Sequence, residues 1–296
     1  MTSTNTKPQP LNDNIRENHE RAADWFSALR DRIWKSLEDL EDEAAGAVTT
    51  FRFRGEEWAR RNDDGTQGGG GTMGVLKGQV FEKAGVNISN VCGTFSEQFQ
   101  KEIPGAEDRG GAFMAAGISL VIHPCNPYVP AIHMNTRHIV TSRSWFGGGI
   151  DLTPVFADER DEADFHSALQ ACCDRHDPDY YPRFKQWCEE YFYLPHRGET
   201  RGIGGIFYDY INTGDWEADF AFTRHVGETF LAIYPELVRR HMHRDWTDAD
   251  KRAQKIKRGR YAEFNLLYDR GTQFGLKTGG KTEAILMSLP PEAVWE

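Results

Sequence analysis

The stretch Gly117–Pro154, GISLVIHPCNPYVPAIHMNTRHIVTSRSWFGGGIDLTP, decides the class of fold. It holds three β-like runs, Gly117–His123, Ile132–Val140 and the start of Gly149–Phe156, each bounded by Pro, Gly, Asn or Ser. Two more runs precede it, Val75–Phe81 and Val86–Phe95. Strands therefore arrive consecutively, with no helix between each pair. That order predicts a mainly antiparallel sheet covered by helices, not a doubly wound parallel one.

Outward from this block the periodicity changes. Towards the N-terminus, Phe26, Leu29, Ile33, Leu37 and Leu40 recur at steps of three and four and predict an amphipathic helix from Asn14. Residues 1–12 are polar and carry prolines, and read as a disordered tail ahead of a single domain over 13–296. The segment Asn62–Gly71, NDDGTQGGGG, breaks all periodicity; because Met73–Phe81 after it looks like a strand and not a helix start, a flexible loop is expected in place of a phosphate cradle. On the C-terminal side the pattern predicts helices near Glu162–Arg175 and Arg183–Tyr193, then a strand over Gly204–Ile211. A long helix over Trp216–Met242 should turn Phe220, Val226, Phe230 and Leu237 inward. A charged helical piece at Asp248–Lys257 leads into two strand-like runs, Tyr261–Tyr268 and Ala284–Leu289.

Composition closes off several classes of function. With 35 Lys and Arg against 45 Asp and Glu, the formal charge is −10, the wrong sign for displacing counterions from nucleic acid. No apolar run approaches the ~20 residues of a membrane-spanning helix. Five cysteines, none in a C-x-x-C pair, argue against a disulfide framework and a thiolate zinc site. Reduced thiols and the lack of a targeting pattern point to the cytoplasm.

Polar residues gather in the deciding stretch. On a strand, residues two apart share a face, so His133, Asn135 and Arg137 should project together, into water or into a polar pocket. The glycines of Trp145–Pro154 permit close approach to a planar ligand, or a bend with positive φ. Asp151 sits among apolar neighbours, where a carboxylate requires a partner. Arg201, at the mouth of a Gly-rich strand, and the turn Gly279-Gly280-Lys281 are candidate anion receptors, or else solvated turns. His123, His133, His166 and His196 include no H-x-x-x-H pair, so no local spacing supports a metal site.

These motifs resemble the oxygen-dependent coproporphyrinogen III oxidase family. The resemblance runs from about Val48 to Glu296 and rests on Phe81–Asn87, Gly117–Arg137, Trp145–Pro154, Tyr191–Gly205 and Gly259–Trp295. It implies an α+β fold with a large, flat antiparallel sheet carrying helices on both faces. It also implies a homodimer, with the stretch from Tyr261 onward at the interface. The implied reaction is oxidative decarboxylation of two propionates of coproporphyrinogen III to vinyl groups by molecular oxygen, with no required cofactor. By the same resemblance His133 is the general acid/base, with Arg137 assisting. Asp151 is the carboxylate engaging the pyrrole N–H groups. Ser119, Asn135, Thr136, Arg137, Arg201, Gly279, Gly280 and Lys281 contact substrate. Some bacterial relatives are described with metal-ligating histidines matching His123, His133, His166 and His196. Cys125 and Lys281 depart from the family pattern, and Lys lacks the fork of Arg. A His-ligated metal oxygenase and a non-catalytic tetrapyrrole carrier are the alternatives. Asp151→Ala is expected to spare the fold and cut turnover by orders of magnitude.

Overall fold

A computed structural model describes residues 12–277 and 280–296; the expected tail at 1–12 falls almost wholly outside them. The first helix, α1 (Asp13–Ala45), buries Ala22, Phe26, Leu29, Ile33, Leu37 and Leu40 along one stripe. The Asn12 side chain caps its start, and Gly46 ends it in the left-handed conformation with φ of 64°. There follow β1 (Arg54–Arg61), β2 (Gln67–Leu76), β3 (Phe81–Thr94), the short α2 (Glu97–Glu102), β4 (Ala112–Pro124), β5 (Ala131–Val140) and β6 (Ser144–Thr153). The chain continues through α3 (Glu159–Asp174), α4 (Tyr180–Tyr191), the small β7 (Tyr193–Leu194) and β8 (Glu199–Thr200), and β9 (Gly204–Ile211). It closes with α5 (Trp216–His241), α6 (Asp248–Leu267), α7 (Arg270–Lys277), α8 (Thr282–Ile285) and a 3-10 turn over Leu286–Ser288.

Seven strands form one antiparallel sheet in the order β1-β2-β3-β4-β5-β6-β9. The expected α+β class therefore holds. Pairing residue against residue sorts side chains onto two faces. Leu120, Met134 and Ile150 stand in register on one face with Val86 and Ile206, and all five are fully buried. They belong to one core with the inward stripes of α1, α3 and α5. On the opposite face Asn87, Ser119, Asn135 and Gly149 stand in register, as do Val121, His133, Asp151 and Gly205. Helix α6, α8 and the segment after α8 reach part of this second face: Lys83 donates to the Leu289 carbonyl, Asn87 to the Ala284 carbonyl, and Gln254 to the Pro124 carbonyl.

Four readings need correction. Val75–Phe81 is not one strand, since β2 ends at Leu76 and β3 begins at Phe81. Gln67–Gly71 is strand, not flexible loop; only the turn at residues 62–66 fits that expectation. A Cβ on Gly70 would lie 2.1 Å from the Trp58 carbonyl oxygen of β1, so neighbouring backbone comes too close for a side chain there. Tyr261–Leu267 continues α6, and the run from Ala284 is helical turn.

Candidate active site

Strand β5 alternates intermediate and buried residues over its whole length. His133, Asn135 and Arg137 do share the second face: Asn135 donates from Nδ2 to His133 Nε2 at 3.1 Å, and Arg137 reaches Asn135 Oδ1 at 3.4 Å. Register puts Ser119 beside Asn135. Thr136 points the other way, fully buried against the helical layer, and its side chain is not on this face. Its expected substrate contact is withdrawn on that ground.

Beneath His133 lies Asp151, directly across the β5–β6 ladder and 1% exposed. His133 Nδ1 lies 2.8 Å from Asp151 Oδ1. A carboxylate accepts, so the hydrogen sits on Nδ1 and Nε2 keeps its lone pair, which the Asn135 amide meets. Arg201 completes the group, donating from Nη2 to Asp151 Oδ1 at 2.8 Å and Oδ2 at 2.7 Å and from Nη1 to Asn265 Oδ1 at 3.0 Å. Burial alone would raise the Asp151 carboxyl; the Arg201 charge and the His133 hydrogen bond outweigh it and hold it below the usual carboxylate range. Arg201 is 2% exposed, and its guanidinium sits 4.0 Å from the Phe192 ring centre and 4.5 Å from that of Tyr261. Asp151 and Arg201 thus spend their charges on one another. At 1% and 2% exposure, neither side chain is open on the face as the pyrrole and propionate contacts expected of them require.

Gly147, two residues before Gly149 on β6, serves the same face. None of the three consecutive glycines has a positive φ. A Cβ on Gly147 would lie 2.4 Å from Asp209 Oδ1 and 3.0 Å from Arg137 Nη2. The missing side chain is what lets the Arg137–Asp209 pair, 2.6 Å apart, lie flat across the strand. Asp209 arrives there through a bulge where β9 loses register with β6. Tyr210 in that bulge has φ of 58°, the sole positive value on a non-glycine among the described residues. It is half exposed, 5.6 Å from the ring centre of Trp145.

The C-terminal turn carries less than expected. Gly279 lies outside the described residues, the Gly280 N–H donates to the Gly275 carbonyl at 2.9 Å, and the Lys281 ammonium is paired with Glu56. Arg137, Arg201 and Lys281 each have a carboxylate partner. The uniformly cationic lining that the sequence suggests is absent from these positions.

The face also recruits residues that sequence reading missed. Asp269 accepts from the Tyr191 hydroxyl at 2.9 Å and from Thr272 N and Oγ1 at 2.7 Å each. Burial opposes its charge, but those bonds and His133 keep its carboxyl below the ordinary range. Burial with the neighbouring Asp269 charge pushes the Tyr191 hydroxyl up to about 12. Arg270, exposed, holds its guanidinium 5.0 Å from the Tyr191 ring centre, and Tyr191 stacks on Phe207 at 4.3 Å. The charged Tyr268-Asp269-Arg270 step after an aromatic-rich run was the available signal.

The four histidines do not assemble. His123 Nε2 meets the Ser288 carbonyl at 2.9 Å. His166 is held by the Ile203 carbonyl and the Tyr181 hydroxyl, and His196 by Glu263 and the Tyr268 hydroxyl. Among the described residues the only close group of three metal-type ligands is Asp158, Asp161 and His241, elsewhere in the fold. A four-histidine metal site does not fit these positions.

Comparison with known proteins decides the family. The family model described as coproporphyrinogen III oxidase matches residues 21–296. The chain belongs to the coproporphyrinogen III oxidase family. A relative from Rickettsia bellii (strain OSU 85-389), named oxygen-dependent coproporphyrinogen-III oxidase, is 55% identical over 282 residues, covering 95% of this chain and 99% of its own. The protein of the same name from Rickettsia akari (strain Hartford) is 54% identical over 278 residues, covering 93% and 98%. Membership in this coproporphyrinogen oxidase family extends the match back into α1, beyond the motifs that first suggested it. No helix among the described residues is long and apolar enough to cross a membrane.

Proposed function

We propose that the chain is an oxygen-dependent coproporphyrinogen III oxidase that works on the partly open sheet face around His133. The observation that carries the site is the chain of contacts Arg201–Asp151–His133–Asn135, running from the buried interior to that face. Asp151 is a positioning residue here. It fixes the His133 tautomer, so His133 Nε2 is the atom that takes or returns a proton. Arg137, steadied by Asp209, and Arg270 at the rim receive propionates as forked donors. Tyr210, half exposed and backed by Trp145, supplies flat apolar surface for a macrocycle.

Each half-reaction balances without a resident redox centre. A propionate side chain loses carbon dioxide, one β-hydrogen as a proton and two electrons, leaving a vinyl group. Dioxygen takes the two electrons, that proton and one more from solvent, and leaves as hydrogen peroxide. The electron-rich pyrrole relays the electrons, and His133 Nε2 takes the pyrrole N–H proton and returns it once the side-chain β-proton has left. In this reading no metal or organic cofactor is required, the protein is cytoplasmic, and it acts as a homodimer. Purified protein is incubated with coproporphyrinogen first without oxygen, then with it, while protoporphyrin fluorescence after oxidation and oxygen uptake are followed. Product should form only with oxygen and survive chelator treatment. Binding without oxygen uptake would mark a carrier, and loss of turnover to a chelator would mark a metal oxygenase.

A further inference from the structure

Where α6 crosses the ends of β4 and β6, His123, Thr153, Lys257, Arg258 and Tyr261 are among the residues lining a small cavity. His123, Thr153 and Arg258 are 1%, 5% and 5% exposed. His123 Nδ1, Thr153 Oγ1 and Arg258 Nη1 are buried with no hydrogen-bond partner among the described residues. The Tyr261 hydroxyl is unmet as well, and four such buried polar atoms on residues lining one cavity call for a ligand of matching chemistry.

The donor set specifies that ligand. His123 Nε2 faces a carbonyl, so it carries the ring hydrogen, and Nδ1 presents a bare lone pair to be met by a donor. Arg258 Nη1 presents N–H and needs an acceptor. Lys257 is half-buried with no carboxylate partner among the described residues, and burial lowers its ammonium from the ordinary value. Of the carboxylates nearby, Glu82 is shared between Arg258 and Lys251, each 2.9 Å away, and Glu199, whose charge Lys257 also feels, is paired with Arg260 at 3.3 Å. Positive charge is thus in excess, which repels a metal ion from the His123 nitrogen. A water molecule would meet the lone pair but leave the charge unanswered. The cavity is small, about 20 Å³, so its occupant is small.

We propose that this cavity binds a small oxyanion bearing one O–H, of the hydrogencarbonate class. Its O–H donates to His123 Nδ1, and its charged oxygens accept from Arg258, Lys257 and Thr153. Nitrate has similar size and charge but no O–H, and is the discriminating control. Calorimetric titration of the intact protein, at fixed pH and ionic strength, should show saturable heat with sodium hydrogencarbonate and binding at least about tenfold weaker with sodium nitrate. Thr153→Val and Lys257→Met, whose folding is checked by thermal melting, should each weaken hydrogencarbonate binding by about tenfold or more. No saturable heat, equal binding of nitrate, or unchanged affinity in both variants overturns the proposal.

Discussion

His133 and Asp151 show how an expectation correct in chemistry can be wrong in position. That Asp151 needs a partner was legible from its apolar neighbours. Which partner it has was not, because Arg201 lies 50 residues away in sequence and reaches it only through the fold. The consequence reverses an early expectation: Asp151→Ala should not spare the fold. It strands the Arg201 guanidinium in a site 2% exposed, and breaking one side of a buried pair typically costs about 3–5 kcal/mol. Urea denaturation of Asp151→Ala should show a loss of that size, and native stability would remove the pair from the structural core. His133→Ala leaves the Asp151–Arg201 pair intact, so its midpoint should fall far less while turnover drops by about 10²–10⁴. Asp209→Asn separates positioning from chemistry at Arg137. The substrate KM should rise with kcat nearly unchanged, whereas a fall in kcat alone would place Asp209 in the proton path.

Elements were legible where side chains alternate or recur with a clean period, and lost where glycine or polar faces hide it. Strand β5 and helices α1 and α5 announce themselves, with apolar residues at steps of two, or of three and four, all turned inward as expected. Strand β2 does not, since Gly68–Gly71 offers no side chains to read. Helix α6 misleads for another reason: its inner face is Gln254, Arg258, Tyr261 and Asn265, at helical spacing but largely polar. The run Ala284–Leu289 is simply too short for its period to separate strand from helical turn. The docking of that last segment is testable on β3. A Cβ on Gly85 would lie 1.5 Å from Met287 Sδ and 2.5 Å from its Cγ, so the whole side chain must leave. Gly85→Ala should therefore cost about 1–3 kcal/mol and raise hydrogen exchange over residues 282–289 while the sheet centre stays protected. Unaltered exchange there would mean that Met287 does not hold the segment down.

At the scale of the molecule, one sheet is clamped from two sides, and each clamp contains a neutral buried imidazole. His138 on the helical side lies between α1 and α5, 3.2 Å from His19 Nδ1 and accepting from Trp216 Nε1 at 3.3 Å. His123, on the other side, ties β4 to the segment after α8 through the Ser288 carbonyl. Burial pushes both down to about 3, further aided at His138 by His19. Unfolded, each would titrate near 6.5, so below that pH the unfolded chain binds protons the native state refuses. The stabilisation is complete above about pH 6.5 and is lost as pH falls towards 3, at about 1 kcal/mol per pH unit for each imidazole. His19, His166, His176 and His225 are lowered mainly by burial too and act with the same sign. Carboxylates, whose losses begin lower, do not confound the interval from pH 6.5 to 5. The urea midpoint should thus fall steadily across that interval, and hydrogen exchange should show α1 and the 282–289 segment loosening first. A midpoint constant from pH 7 to 5 would mean that neither imidazole is buried neutral, and that the two layers are held by apolar contact alone.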